Sequence, residues 1–464
     1  MNSRNTISAS IIFIFLVVVI GGYLILSPRA VDFSPVGDGQ IFPANTMISI
    51  SFSREMNTES VLENMTITPQ IDGEFSWNDN SLAFKPTEEW PRGAEISVQL
   101  AQGASSALGL VTRESYTWLF LVSRVQLAYL WPSNGPADLY MLEPLSGETQ
   151  RITQNAEVLS FVTNQNGSTI YYTQRNEEGG SDLIALNRWG NTETKLFACQ
   201  TNNCADLQLS FNEKLLAFTS TSVESGLEIW VLNVDTQDTR QISDPGEETR
   251  WPLWLPDGRL SFYSVPNQKY QVFDLESDSI EKIPNTAGEQ GTWSPRGSRF
   301  VAPDFSAVVT TILRGPSGEL DNEEVNQDDL EPVQVTTSHL ISYDIENNSF
   351  SDFTRSTEIE DLSPEFSPNG LWIVFARKYL DAIRWTQGRQ MWLMRSDGTQ
   401  ARSLTNAPDY KYTAFAWHPN GFQVATVRAN VTAVTSPPEI WLVDIRNGDV
   451  LRLLIGAYNP QWVP

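Results

Sequence analysis

The chain has 464 residues, 41% hydrophobic, 11% aromatic and 19% charged, with 28 Gly and 26 Pro. That composition excludes a disordered or collagen-like chain, and the length exceeds one ordinary domain. Acidic residues outnumber basic ones 56 to 31, a formal charge of -25, and such a field repels phosphate backbones, which excludes nucleic acid as a partner.

Residues 1–6 read as a short cytoplasmic start. From Ile7 to Leu26 there is no charged residue, and Arg4 and Arg29 flank the stretch. Roughly 20 helical residues cross an apolar layer of about 30 Å, so the sequence predicts a transmembrane helix over 7–26. A cleaved signal peptide is the alternative. It has a shorter apolar region and small residues before its cut, whereas here Ser27-Pro28-Arg29-Ala30 follows. Residues 27–30 are then a linker, and the bulk of the chain lies outside the cytoplasm of a single-pass protein of the cell (inner) membrane.

Between residues 31 and 122 apolar and polar residues alternate in short runs broken by turns. Met47–Ser53, Asn64–Pro69, Gly73–Trp77, Ser81–Pro86, Ala94–Leu100 and Ser115–Leu121 have the period of two that marks half-buried strands. The expected fold is a β-sandwich. Phe52-Ser-Arg-Glu-Met-Asn57 with Val61, Ile67-Thr-Pro69, Leu82-Ala-Phe-Lys-Pro86, and Gly93 ahead of Gln99-Leu100 resemble the bacterial Ig-like domains of cell-surface proteins. The resemblance implies a spacer or adhesive module without shared catalytic residues. Asp72, Asp79 and Asn80 suit either a calcium site or, more simply, hairpin turns, which favour these residues for backbone reasons.

Residues 123–464 repeat. One element is an aromatic followed by a turn: Trp254-Leu-Pro-Asp-Gly258, Trp293-Ser-Pro-Arg-Gly297, Phe366-Ser-Pro-Asn-Gly370 and Trp417-His-Pro-Asn-Gly421. A second, the start of a third strand, recurs at Asp138, Asp182, Glu228, Gln271, Leu340, Met391 and Ile440. The spacing suits four-stranded propeller blades of roughly 40 to 50 residues, with one longer interval. Asn459-Pro-Gln-Trp462 supplies the missing copy of the first element, so the C-terminus is expected to provide the innermost strand of the first blade. Such closure removes the open edges of a linear array. The prediction is therefore seven blades, with six as the alternative, and an all-β chain apart from the membrane helix. Trp293-Ser-Pro-Arg-Gly297, Phe366-Ser-Pro-Asn-Gly370, Ser396-Asp-Gly398 and Ser403-Leu-Thr405 resemble the TolB-like family of WD-type propellers. That family includes docking modules, peptidase-associated propellers and enzymes, so the resemblance implies a fold more than an activity. Trp254, Trp293, Phe366, Trp417 and Trp462 are expected to pack blade against blade.

Cys199 and Cys204, the only cysteines, sit in a polar loop suited to a small disulfide ring in an oxidising compartment, or to two reduced thiols. Zinc is excluded by the lack of further ligands nearby.

The second-to-third connections lengthen together in what the repeat spacing suggests are the fourth, fifth and sixth blades. The first of these, an acidic insertion at 313–337, carries Glu319, Asp321, Glu323, Glu324, Asp328 and Asp329. The second carries Arg377, Lys378, Tyr379, Arg384, Trp385 and Arg389, and the third runs from Arg428 to Pro438. Neighbouring extensions on one face make a docking edge, with exposed Arg and Trp as its anchors. The two histidines, His339 and His418, fall on opposite faces without an evident partner set. No G-x-S-x-G, G-x-x-x-x-G-K or H-E-x-x-H motif occurs. No catalytic, cofactor-binding or metal-binding residue is assigned, and no cofactor. The expected function is a non-catalytic, membrane-anchored scaffold of the bacterial cell envelope, with the propeller docking a protein partner and the Ig-like module as spacer. Carbohydrate or cell-wall binding is the alternative, and a channel-sited hydrolase or lyase a third.

Overall fold

A computed structural model describes residues 26–35, 41–42, 44–188, 192–222, 226–313, 330–356, 358–381 and 383–464. Among the described residues no helix is long and apolar enough to cross a membrane. The expected span over 7–26 lies, but for Leu26, outside them. The chain divides between Val125 and Gln126 into two compact units.

The first unit is two four-stranded sheets. One orders Ala30–Ser34, Ile48–Phe52, Ser81–Pro86 and Gly73–Asn78; the other orders Ile41–Phe42, Tyr116–Val122, Glu95–Leu100 and Met65–Thr68. Alternation dictates which face is buried. Ile48, Ile50 and Phe52 point inward while Ser49 and Ser51 do not, and they meet Leu82, Phe84 and Val98 in one core. Two strands escape a search for period two. Ala30–Ser34 is largely exposed, and Ile41–Phe42 is short and pairs parallel with Leu121–Val122. A helix over Thr58–Glu63 is also unexpected. Asn57 caps it by accepting the Ser60 N–H at 2.9 Å, and Glu59 in the first turn suits the positive end of the helix dipole. Asp72 stands at one end of strand Gly73–Asn78 and Asp79-Asn80 at the other, roughly 20–25 Å apart. They do not share a cation, and Asp79 has the left-handed φ of a turn residue.

The second unit is seven four-stranded antiparallel sheets. Six use consecutive strands within residues 158–198, 203–241, 249–284, 292–352, 359–403 and 410–455. The remaining sheet, the first in chain order, orders Thr149–Arg151, Asp138–Leu142, Gln126–Trp131 and Tyr458–Val463. The C-terminal strand thus takes the innermost place in the first sheet. Between each sheet and the next lies a separate apolar core, and the last links the seventh sheet to the first: Ala425, Val427 and Ile440 pack with Leu127, Tyr129 and Leu142. Seven sheets joined by seven cores form a closed ring, a seven-bladed propeller.

The repeated residues act at the joints. Trp254 Nε1 donates to the Gln208 carbonyl of the preceding sheet at 2.9 Å, Trp417 Nε1 to that of Glu365 at 3.1 Å, and Trp462 Nε1 to that of Ala416 at 3.0 Å. Each receiving carbonyl lies where a bulge shifts the register of an inner strand. The bulges place Asp206, Trp251, Ser363, Ala414 and Asn459 at positive φ. A second device starts the third strand. The N–H groups of Leu139, Ile229, Leu340 and Met391 donate to the hydroxyls of Thr153, Ser243, Thr354 and Thr405 at 2.9–3.0 Å. That is the physical content of the Leu-Thr signature. In the aromatic-Ser-Pro turns a Cβ on Gly297 would come within 2.9 Å of Pro256 in the preceding sheet's turn, at a φ of +71° that already favours glycine.

Counted from the sheet closed by the C-terminus, the long connections belong to the fifth, sixth and seventh sheets, not the fourth to sixth. Much of the expected loop 313–337 is strand: Arg299–Leu313 and Leu330–Asp344 pair along their whole length. The acidic residues Glu319, Asp321, Glu323, Glu324, Asp328 and Asp329 lie outside the described residues.

Candidate functional site

Second-to-third connections and the connections between sheets share one end of a propeller, and backbone bonds stitch them together. Gly388 N–H donates to Pro408 O at 2.9 Å, Val431 N–H to Asp409 O at 2.8 Å, Gly456 N–H to Pro438 O at 2.7 Å and Ser133 N–H to Gly456 O at 2.8 Å. Gln390 reinforces the first of these, its amide donating to Ala407 O and Tyr410 O at 2.9 and 3.1 Å and accepting from Ala407 N–H at 2.7 Å. A Cβ at Gly388 would fall 2.0 Å from Tyr410 O. The end of this connection, at Gly388 and Gln390, is therefore held against the start of the seventh sheet.

Of the six residues the sequence places on this loop, one is not at the surface. Arg377 is 8% exposed and clamps the fully buried Asp361 through two 2.8 Å bonds, between the rings of Phe375 and Trp392. Burial pushes the Asp361 carboxyl up and the Arg377 fork opposes that push. Four of the others pair as cations on rings: Lys378 over Trp385 at 4.8 Å and Arg384 over Tyr379 at 4.1 Å. Arg384 also bonds Asp381 at 2.8 Å and pairs with Glu358, and Arg389 pairs with Glu360 at 2.8 Å. These carboxylates were not singled out in the sequence. Asp381, three residues before Arg384, was legible as a local partner; Glu360 arrives from the inner strand of the same sheet and Glu358 from the turn just before it. With the arginines matched, the loop presents apolar groups, Ile383 at 95% and Trp385 at 52% exposure, and the seventh sheet's connection presents Val434 at 84%.

The histidines stand as follows. His418 closes the turn after the seventh sheet's inner strand, its Nδ1 accepting from Asn420 N–H at 3.0 Å and its ring edge-on to Trp462. His339 does have a partner set, against expectation, because the fold gathers residues 2, 13 and 17 positions away. Nδ1 lies 2.9 Å from Asp352 Oδ2, and Nε2 lies 2.8 Å from Thr337 Oγ1 and 2.7 Å from Ser356 O. The Thr-His-Asp order resembles a nucleophile, base and orienter. Yet His339 is fully buried, Thr337 is 2% exposed and a carbonyl occupies the ring's far nitrogen, so no substrate atom reaches it. The trio braces the base of the long hairpin.

Glu365, on the sixth sheet's inner strand, is also pushed upward: burial raises its carboxyl to about 8, against a hydrogen bond from Thr292. Cys199 and Cys204 form a disulfide joining the second sheet's outer strand to the third sheet's inner one.

Residues 26–122 match the bacterial Ig-like domain family, and the first unit is such a domain. A curated relative, described as an uncharacterized peptidase YuxL of Bacillus subtilis (strain 168), is 25% identical over 166 residues, 32% of this chain. The matched part is about a quarter (24%) of that relative's length. Among solved structures, TolB from Acinetobacter baumannii is 12% identical with a TM-score of 0.43, covering 86% of this chain and 83% of its own. The β-propeller domain of the Trilobed protease from Pyrococcus furiosus is 14% identical with a TM-score of 0.43, covering 64% and 83%.

Proposed function

We propose that this chain is a non-catalytic docking protein of the bacterial cell envelope, in which the propeller's connection face binds a protein partner and the Ig-like domain acts as spacer. The observation that carries the proposal is the loop from Leu380 to Arg389. Its end at Gly388 and Gln390 is tied to the start of the seventh sheet, its arginines are neutralised from within, and it displays Ile383 and Trp385 to solvent. Buried aromatic and aliphatic anchors dominate binding energy at protein interfaces, and a pre-organised loop has little ordering entropy left to lose. Chain entry supports the same face, because Gln126 begins a second strand and so stands at the opposite end of the sheets from the second-to-third connections. The Cys199–Cys204 bond supports an oxidising, extracytoplasmic location. Anchorage through residues 7–26 to the cell membrane is part of the proposal.

The test is crosslinking capture from native membranes with wild type and Ile383→Ser/Trp385→Ala. Both positions are exposed, so the variant retains the fold. A partner captured by wild type and lost by the variant supports the proposal. A partner captured equally by both places the interface elsewhere, and retention of wild type on wall polymers without any protein partner replaces docking with glycan binding.

A further inference from the structure

A second feature of the same face lies four sheets away in chain order. The second sheet's outer strand and inner strand are each followed or preceded by a connection that rises beside its own second-to-third turn, and the three enclose a groove of about 930 Å³. One wall is the connection carrying Asn155 and Glu157, one the turn 176–180, and one the disulfide loop carrying Gln200. The walls are fixed. Asn176 accepts from the N–H groups of Glu178 and Gly180 at 3.1 and 3.0 Å, and donates to Gln200 O at 2.9 Å. A Cβ on Gly180 would lie 2.1 Å from Gln200 O, so turn and disulfide loop are in direct contact.

The lining holds four carboxylates and two cations. Both cations are already matched: Lys195 to Asp182 at 2.5 Å and Arg175 to Glu157 at 3.5 Å. The side chains of Glu177 and Glu178 have no partner among the described residues, and both are exposed at the rim. Gln174 and Gln200 add side-chain amides, and no aromatic platform lines the groove. Two unmatched carboxylates over a pre-formed polar trough complement a cation carried on an extended chain, and the whole-chain charge of -25 draws such a chain in.

We infer that this groove binds a lysine- or arginine-bearing segment of the docked protein. The inference rests on the docking function proposed above and adds the chemistry of the partner. It is tested on the intact extracytoplasmic part, residues 27–464, by fluorescence anisotropy with a labelled, end-blocked Lys-Gly-Lys-Gly-Lys peptide at low and physiological salt. The variants are Glu177→Gln/Glu178→Gln in the groove and Glu55→Gln/Glu59→Gln, which removes the same charge from exposed positions of the Ig-like domain. Expected is a loss of roughly tenfold in affinity for the groove variant, with the Ig-domain variant within about twofold of wild type and binding that weakens with salt. Equal loss in both variants means attraction to net charge alone and overturns the inference, as does the absence of binding at low salt. Ile383→Ser/Trp385→Ala retains the peptide. Loss of membrane capture in that variant with unchanged peptide binding therefore tests docking separately from the groove.

Discussion

Replacing Arg377 by Met removes a guanidinium while keeping an unbranched apolar stem between Phe375 and Trp392. What remains is Asp361, fully buried, with its two 2.8 Å partners gone. Breaking one side of a buried pair costs about 3–5 kcal/mol. The propeller spans about 340 residues, and at about 2.1 cal/mol/K per residue its unfolding entropy is about 0.7 kcal/mol/K, so the transition falls by about 4–7 °C. The pH dependence has a definite sign. Burial already pushes the Asp361 carboxyl up, and without the opposing arginine it rises further. The folded variant then holds a proton that the unfolded chain has released, so stability is present at low pH and lost as pH rises. The gap to wild type is therefore widest at pH 8 and narrowest at pH 5 in differential scanning calorimetry. Asp361→Leu/Arg377→Met, lacking both charges, lies within about 1 kcal/mol of wild type or above it. A gap independent of pH, or a double variant as weak as the single one, refutes the argument that an unpaired buried carboxylate is the cause.

Trp254→Phe keeps a ring in the joint between the third and fourth sheets but leaves the Gln208 carbonyl without its 2.9 Å donor, and thermal denaturation should show a loss of about 1–2 kcal/mol. Gly388→Ala drives a Cβ into Tyr410 O, a backbone atom that cannot step aside; a loss of about 1–3 kcal/mol is expected by the same assay, with changed Trp385 fluorescence. Reducing or replacing Cys199 and Cys204 opens a loop closed across a separation of 5 residues, which in the chain-entropy account is worth about 2 kcal/mol, read as a lower urea midpoint. Glu365 is held up to about 8, so its contribution is present at acid pH and fades as pH rises from about 4.5 through about 8. Glu365→Gln should flatten that part of the pH–stability curve, and a curve unchanged by the substitution would show that the carboxyl titrates normally.

The architecture was legible wherever the physics repeats. Three joints use an indole donor for a bulge carbonyl, four sheets a hydroxyl for the first N–H of the third strand, and most inner turns a glycine, and these devices recur as Trp, Leu-Thr and Pro-x-Gly at near-constant spacing. Closure was legible for the same reason, since Trp462 is one more copy of Trp254. What did not repeat was missed. The helix Thr58–Glu63 is one turn and a half with a single buried residue, Val61, too short for a helical period to show. Strand Ala30–Ser34 keeps only Phe33 buried, so its alternation is faint. His339 seemed unpartnered because Asp352 and Ser356 come to it through strand pairing and not through a local motif.

The docking loop shows why charge is harder to infer than fold. In sequence, Arg377, Lys378, Arg384 and Arg389 read as a basic edge; in space Asp361, Asp381, Glu358 and Glu360 cancel three of them, and Lys378 lies on an indole. Neutralised within the sixth sheet, the loop offers apolar contact at Ile383 and Trp385. The groove beside the second sheet is the converse: its cations are spent internally, and Glu177 and Glu178 have no cation paired with them among the described residues. Screening separates the two, because salt weakens a contact between exposed charges and leaves apolar burial largely unchanged or strengthened. A partner that engages both sites should therefore lose affinity with salt only down to the level set by Ile383 and Trp385. Glu177→Gln/Glu178→Gln should bind at that level in low salt and show little further salt dependence, whereas Ile383→Ser/Trp385→Ala should keep the salt dependence and lose the floor beneath it.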